Sequence, residues 1–239
     1  MKSIALVTGA NKGIGLEICR QLKELGYHIL LGCRDRSKGL AAAESLGGGA
    51  VDVVVIDISQ PATFTAARDW IEERFGKLDV LVNNAGGAEG ADWQSTAENV
   101  PINVLRETFE LNFFGLVDLT QTLLPLLKKS ASPRIVNQSS ILGSLTEHSD
   151  PASSIYSVQA LAYDSSKTAV NAFTVHLAKA LQGTAVKVNS AHPGSVKTDL
   201  NPAGELTVEQ GAVTAVTLAT LPDDGPNGSF FYFDKVLAW

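Results

Sequence analysis

Short runs of apolar and β-branched residues alternate with longer stretches of helical periodicity along almost the whole chain, and this alternation constrains the fold more than any other feature. Ile4–Thr8 reads as a strand. It leads into a stretch from Gly13 to Leu25 in which Ile14, Ile18, Leu22 and Leu25 form one apolar helical face. Gly26 stands where a helix C-terminal glycine belongs. His28–Cys33 follows as a strand and Lys38–Leu46 as a helix. Val51–Ile58 is a nearly unbroken apolar strand, which predicts burial on both faces. Pro61 suits a first helical position and opens a helix to Phe75. Val80–Val82, Arg134–Gln138, Ala185–Ala191 and Phe230–Phe233 read as further strands. Pro101–Lys129 (bent near Asn112 and Gly115), Tyr163–Leu181 and Thr207–Leu221 read as further helices. Such alternation predicts an α/β protein: a doubly wound parallel sheet of about seven strands with helices on both faces. With no internal repeat or low-complexity linker, and with Gly47-Gly48-Gly49 read as a turn, residues 1–239 are expected to form one domain.

Composition removes several function classes. Of 239 residues, 45% are hydrophobic and 18% charged, which excludes a disordered or polyelectrolyte chain. Lys and Arg number 19 against 25 Asp and Glu, a net charge of −6, so neither nucleic acid nor an anionic membrane is an expected partner. Apolar runs such as Ala212–Leu221 contain threonines and fall short of the ~18–20 residues of a membrane helix. Met1-Lys2-Ser3 runs straight into the first strand, leaving no room for a secretory leader, so a soluble cytoplasmic protein is expected. Cys19 and Cys33 are too few for a disulfide framework and read as buried free thiols. His28, His148, His176 and His192 lack metal-ligand spacing, and no metal is expected.

Between the first strand and first helix lies Thr8-Gly9-Ala10-Asn11-Lys12-Gly13-Ile14-Gly15. Glycines let the backbone turn sharply and approach a ligand closely, while a helix N-terminus offers free N–H groups to a phosphate. After the first strand of a parallel sheet, this is where the pyrophosphate of a dinucleotide binds, as in a Rossmann-like fold. The spacing is G-x-x-x-G-x-G rather than G-x-G-x-x-G. The second strand ends at Cys33-Arg34-Asp35, with no acid at the terminal position that would hold a ribose 2′-hydroxyl. Arg34 and Lys12 converging there would suit a 2′-phosphate, so NADP(H) is the expected cofactor; Asp35 could reach the ribose instead.

Tyr163 and Lys167, four apart, share one helical face. A nearby ammonium favours a phenolate, so Lys167 is expected to lower the Tyr163 pKa and make a proton donor and acceptor of it. Ser139-Ser140 follows the strand Arg134–Gln138 and Asn83-Asn84-Ala85-Gly86 follows Val80–Val82, both at the ligand-binding ends of their strands.

Taken in order, Thr8-Gly9-x-x-x-Gly13-x-Gly15, Asn83-Asn84-Ala85-Gly86, Asn112, Ser140, Tyr163-x-x-x-Lys167 and Pro193-Gly194 cover most of the chain. The set resembles the short-chain dehydrogenase/reductase family. Gly9-Ala10-Asn11-Lys12-Gly13, Arg34-Asp35, Leu111–Gly115, Val136–Ser140 and the ending Gly228–Phe231 with Trp239 resemble its NADPH-dependent carbonyl reductases. The resemblance implies Tyr163 as general acid and Lys167 as the residue that lowers its pKa and binds the nicotinamide ribose. It implies Ser140 as the residue that polarises the carbonyl; Ser140-Ile141-Leu142-Gly143 fits the family's S-x-x-G. Asn112 would hold a relay water. It implies Gly9, Asn11, Lys12, Gly13, Ile14, Gly15, Arg34, Ala85, Gly86, Tyr163 and Lys167 as cofactor-binding, Asp57 with Ile58 beside it at the adenine, and Asn83 at the adenosine ribose. Pro193, Gly194, Val196 and Thr198 would lie at the carboxamide. The implied substrate is a small carbonyl compound. A 3-oxoacyl thioester reductase, a secondary-alcohol dehydrogenase and a non-catalytic NADP(H) sensor are the alternatives. Ser140 and Tyr163 stand 23 apart, so 145–162 reads as an insertion beside the site, and whether the chain is a monomer or homo-oligomer stays open. Asp199–Thr207, where many members carry a helical lid, is short, which suggests an open pocket.

Overall fold

The computed structural model describes residues 2–239. One sheet carries β1 (Ile4–Thr8), β2 (His28–Cys33), β3 (Val51–Val55), β4 (Val80–Asn83), β5 (Arg134–Gln138), β6 (Lys187–Ala191), β7 (Phe230–Tyr232) and β8 (Lys235–Val236). Their order is β3-β2-β1-β4-β5-β6-β7-β8. Every neighbouring pair is parallel except β7 and β8. The eighth strand is two exposed residues, too short to leave a periodic signal. Strand order reverses between β1 and β4, so the crevice at their C-terminal ends is the switch point of the sheet.

Period-two alternation splits the core into two layers. Ile4 and Leu6 of β1 face α3 (Pro61–Phe75), α5 (Gly115–Leu127) and the end of α7 (Leu161–Ala180), through Phe64, Ile71, Leu119, Leu123 and Leu177. Ala5 and Val7 face the other way, toward α1 (Gly13–Glu24), α2 (Arg36–Ser45) and α8 (Val208–Ala219), through Ile18, Leu22, Ala42, Ala212 and Ala215. Cys19 and Cys33 are buried and unpaired.

The differences from expectation have local causes. The second helix starts at Arg36 rather than Lys38, because the Asp35 carboxylate accepts from the N–H groups of Ser37 and Lys38 and caps it. β3 stops at Val55 and only Val54 of its five residues is buried: it is the edge strand, so burial on both faces does not hold. The long helix runs as α4 (Ile102–Phe109), a π-helical turn Glu110–Phe114, and α5; the bend expected near Asn112 is this extra-residue turn. A Cβ on Gly115 would collide with Ile58, so the helix passes close against the end of β3. The insertion holds a short helix, α6 (Leu145–Ser149).

α8 begins with a reciprocal cap: Gln210 N–H donates to the Thr207 hydroxyl, and the Gln210 side chain accepts from Thr207 N–H. Thr207→Ala is expected to cost ~1 kcal/mol, which lowers Tm by roughly 2–4 °C in a chain of this size, readable by thermal unfolding. Among the described residues no helix is long and apolar enough to cross a membrane.

Candidate active site

The glycine loop is built so that backbone, not side chains, faces the crevice. Gly9 has φ +63 and a Cβ there would stand 2.9 Å from the Cα of Ala85. A Cβ on Gly15 would meet Asn84 Nδ2 at 2.5 Å and the Gly9 carbonyl at 2.7 Å. Asn84 braces this contact: its Nδ2 donates to the Thr8 carbonyl, and its backbone N–H donates to the Thr8 hydroxyl. The sequence drew attention to Asn83 instead. The Asn83 side chain is buried and donates to Thr120 and Asn137. Lys12 precedes α1 without a side-chain cap, and the first turn of α1 carries no acid. Its free N–H groups, close to Asn11, Gly13, Ile14 and Gly15, form the anion-binding end that a pyrophosphate needs.

The adenosine end differs in part from expectation. Arg34 is exposed, and Asp35 caps α2 through its Oδ1, which accepts from Ser37 and Lys38 N–H. Lys12 Nζ lies 2.5 Å from Asp199 of the loop after β6, an exposed ion pair. The Asp199 carboxylate is held below its ordinary pKa by that ammonium. Asp57 stands beyond the end of β3, where its carboxylate accepts from Ser59 and Gln60. Ile58 packs on Gly115. On the opposite side, Thr198 reaches within 3.9 Å of a Cβ position on Gly13. Pro193 and Gly194 (φ +84) follow β6, and Val196 is buried against Gly204 and Gly211. These residues fit a dinucleotide: an uncapped helix end, a glycine cradle and a free arginine at the end of β2.

The polar cluster lies at the C-terminal end of β5 and along α7. Ser140 is buried, and its hydroxyl accepts from Leu142 N–H at 3.2 Å. Tyr163 is partly buried, with Ser140 close enough to act on its phenol. Desolvation pushes the phenol up to about 12, Ser140 opposes the rise and the Asp164 charge adds to it. Lys167 Nζ donates to the Gln138 carbonyl at 2.9 Å and lies 5.6 Å from the Tyr163 ring centroid. Burial lowers its own pKa to about 8. The expected lowering of the phenol by Lys167 is therefore not what the free protein shows, because burial acts on both groups and favours their neutral forms. A phenol that keeps its proton through the neutral range is a proton donor.

Asn112 is fully buried: Oδ1 accepts from Gly87 N–H at 2.9 Å, and Nδ2 donates to the Gly87 carbonyl and to Ser166. Its side chain ties the loop after β4 to α7. Gly86 keeps this junction open, since a Cβ there would stand 3.0 Å from Asn112 Oδ1 and 3.5 Å from Lys167 Nζ.

Two further residues support the cluster and gave no sequence signal. His192, read as acting through its backbone, accepts at Nδ1 from Ile141 N–H, the residue after Ser140, at 3.2 Å. Burial holds its pKa down to about 4, which keeps the ring neutral and able to accept. Asp92 accepts from the N–H groups of Ala162 and Tyr163, and the neighbouring Trp93 ring lies 5.9 Å from that of Tyr163. A separate cavity of about 500 Å³, lined by Leu145, His148, Val158, Leu161 and Asp164, runs between the insertion and the outer flank of α7 and includes none of Asn112, Ser140, Tyr163 and Lys167.

The family model for short chain dehydrogenases matches residues 3–207. Salutaridine reductase of Papaver bracteatum is 37% identical, with 98% of this chain and 96% of the relative covered. Among solved structures, the carbonyl reductase Sniffer of D. melanogaster superposes with TM-score 0.87 at 31% identity, covering 100% of both chains. The NADPH-bound carbonyl reductase from chicken fatty liver superposes with TM-score 0.85 at 30% identity, covering 100% of this chain and 99% of its own. With uncapped α1 facing the switch point and the Ser140, Tyr163 and Lys167 cluster beside it, this chain belongs to the short-chain dehydrogenase family of NAD(P)-dependent oxidoreductases.

Proposed function

We propose that the chain reduces a ketone or aldehyde carbonyl to the alcohol with NADPH, with Tyr163 as the proton donor. The observation that carries this is the gathering of Ser140, Tyr163 and Lys167 at the edge of the crevice, with Lys167 Nζ 5.6 Å from the Tyr163 ring centroid. One sheet holding every described strand supports the reading of one cofactor-binding domain. The relatives named above, a salutaridine reductase and two carbonyl reductases, act on carbonyl compounds by their names, which agrees with this reading.

NADPH, when bound, supplies the hydride that adds to the carbonyl carbon. The Ser140 hydroxyl orients the carbonyl oxygen. As negative charge grows on that oxygen, the Tyr163 phenol delivers its proton there, so hydride and proton together make the alcohol. Lys167, beneath the tyrosine ring, offers a positive charge near the developing phenolate. Trp93 forms an exposed aromatic wall beside Tyr163, suited to an apolar carbonyl compound.

The preference for NADPH rests on charge. Arg34 is exposed at the end of β2 and free to bind a 2′-phosphate, while Asp35 beside it turns one carboxylate oxygen to the N-terminus of α2. The Lys12–Asp199 pair is exposed, and such pairs contribute only ~0–1 kcal/mol, so Lys12 can exchange it for phosphate. Arg34→Asp is expected to cut the NADPH-over-NADH ratio of kcat/KM roughly 10–100-fold, the worth of one hydrogen bond to a charged group plus the new repulsion. An unchanged ratio in parallel assays would remove Arg34 from the reading.

A further inference from the structure

We propose that Asp92 is a positioning residue for the proton donor: its carboxylate reaches from the loop after β4, grips the first turn of α7 and fixes where Tyr163 stands. α7 has no cap of its own, since Ala160 occupies the N-cap and makes no side-chain bond. The missing acceptor arrives from 70 residues earlier in the chain. Asp92 is 1% exposed, and its two oxygens accept from Ala162 N–H at 3.0 Å and Tyr163 N–H at 2.8 Å. Both bonds are charge-assisted and oriented with the helix dipole, and one of them is to the backbone of the acid itself.

The same short helical turn, Asp92–Gln94, touches Tyr163 a second time through the Trp93 ring, tilted 38° to it. Backbone and ring are thus held by adjacent residues of one loop. That loop belongs to the crevice wall rather than to α7, so the position of the acid is tied to the wall that a substrate would meet. An interaction serving helix stability alone could be made by a polar residue at position 160. The arrangement has a visible cost at Asp164 in the same turn, whose carboxyl is pushed up to about 7 by burial and by the charge of Asp92. Proton transfer is sensitive to such placement, because a displacement of about 1 Å can cost ~10²-fold in rate.

This inference rests on Tyr163 being the proton donor, and the experiment separates the two. Asp92→Ala and Asp92→Asn are made in the full chain, each alone and with Tyr163→Phe. For each variant kcat and KM for a reducible carbonyl, the NADPH Kd by fluorescence and the Tyr163 titration by ultraviolet difference are measured. Asp92→Ala is expected to lower kcat roughly 10–100-fold while the NADPH Kd stays within about twofold, since the glycine loop does not depend on it. Asp92→Asn, which keeps one acceptor oxygen, is expected to fall between the two and to carry the test if the alanine variant does not fold. In the Tyr163→Phe background neither change should lower the residual rate further, and in the tyrosine background the phenol titration should move. Equal losses with and without Tyr163, or an unchanged kcat beside a lowered Tm, would show Asp92 to be structural only and overturn the proposal. Wild-type turnover in Tyr163→Phe alone would instead overturn the proton-donor reading.

Discussion

Tyr163→Phe lowers the turnover of carbonyl reduction by ~10²–10⁴ and leaves NADPH bound. The substitution removes one oxygen, the one within reach of Ser140. It leaves the ring, and with it the contacts to Trp93 and Lys167, in place. No other described group can take over the proton. Ser140 is a poor acid, and the Lys167 ammonium is directed at the Gln138 carbonyl. The cofactor cradle at Gly9, Gly13 and Gly15 touches Ala85, Asn84 and Thr198 rather than Tyr163, so binding has no reason to fall. Stopped-flow turnover against NADPH fluorescence titration separates the two quantities.

Lys167→Met is the second large effect: a loss of ~10² or more in kcat with little change in stability. The activity falls because the cation beside the developing phenolate is gone. Stability is decided by two opposing terms. Burial lowers the Lys167 pKa from 10.5 to about 8, so keeping it charged in the folded state costs ~3 kcal/mol. Removing it leaves the Gln138 carbonyl without its donor, which costs about 1–3 kcal/mol. The two nearly cancel, and thermal unfolding at neutral pH should show it. The same lowered pKa sets a pH dependence. Between about pH 8 and 10.5 the unfolded chain holds the Lys167 proton and the folded chain does not, so this contribution to stability rises with pH across that window. Activity runs the other way: kcat/KM for reduction declines as pH rises through about 8, while Tyr163 is still protonated.

The strand–helix alternation made the sheet legible, because each strand between β1 and β7 carries its own apolar run and each crossover helix its own periodicity. What escaped was set by neighbours rather than by local pattern. Val51–Ile58 reads as a doubly buried strand, yet nothing in its residues says that the sheet ends there. The motif residues Ser140, Tyr163 and Lys167 were legible because their spacing is local to one strand end and one helix face. Their electrostatics were not: an ammonium four residues from a phenol suggests a lowered tyrosine pKa, and only the burial of the phenol reverses that outcome. The exposed pair of Lys12 with Asp199 also left no sequence signal, its two residues lying in different loops. Asp92 and His192 left no signal, being single polar residues whose partners lie 70 and 51 positions away.

The most direct test of the central reading is the oxidation of NADPH and NADH, followed in parallel by absorbance, against ketones, aldehydes, quinones and a 3-oxoacyl thioester. The account predicts turnover with NADPH on ketones or aldehydes, much slower turnover with NADH, and turnover lowered ~10²–10⁴ in Tyr163→Phe. NADPH that binds but is oxidised by no carbonyl in the panel would contradict it and favour a cofactor-binding regulator.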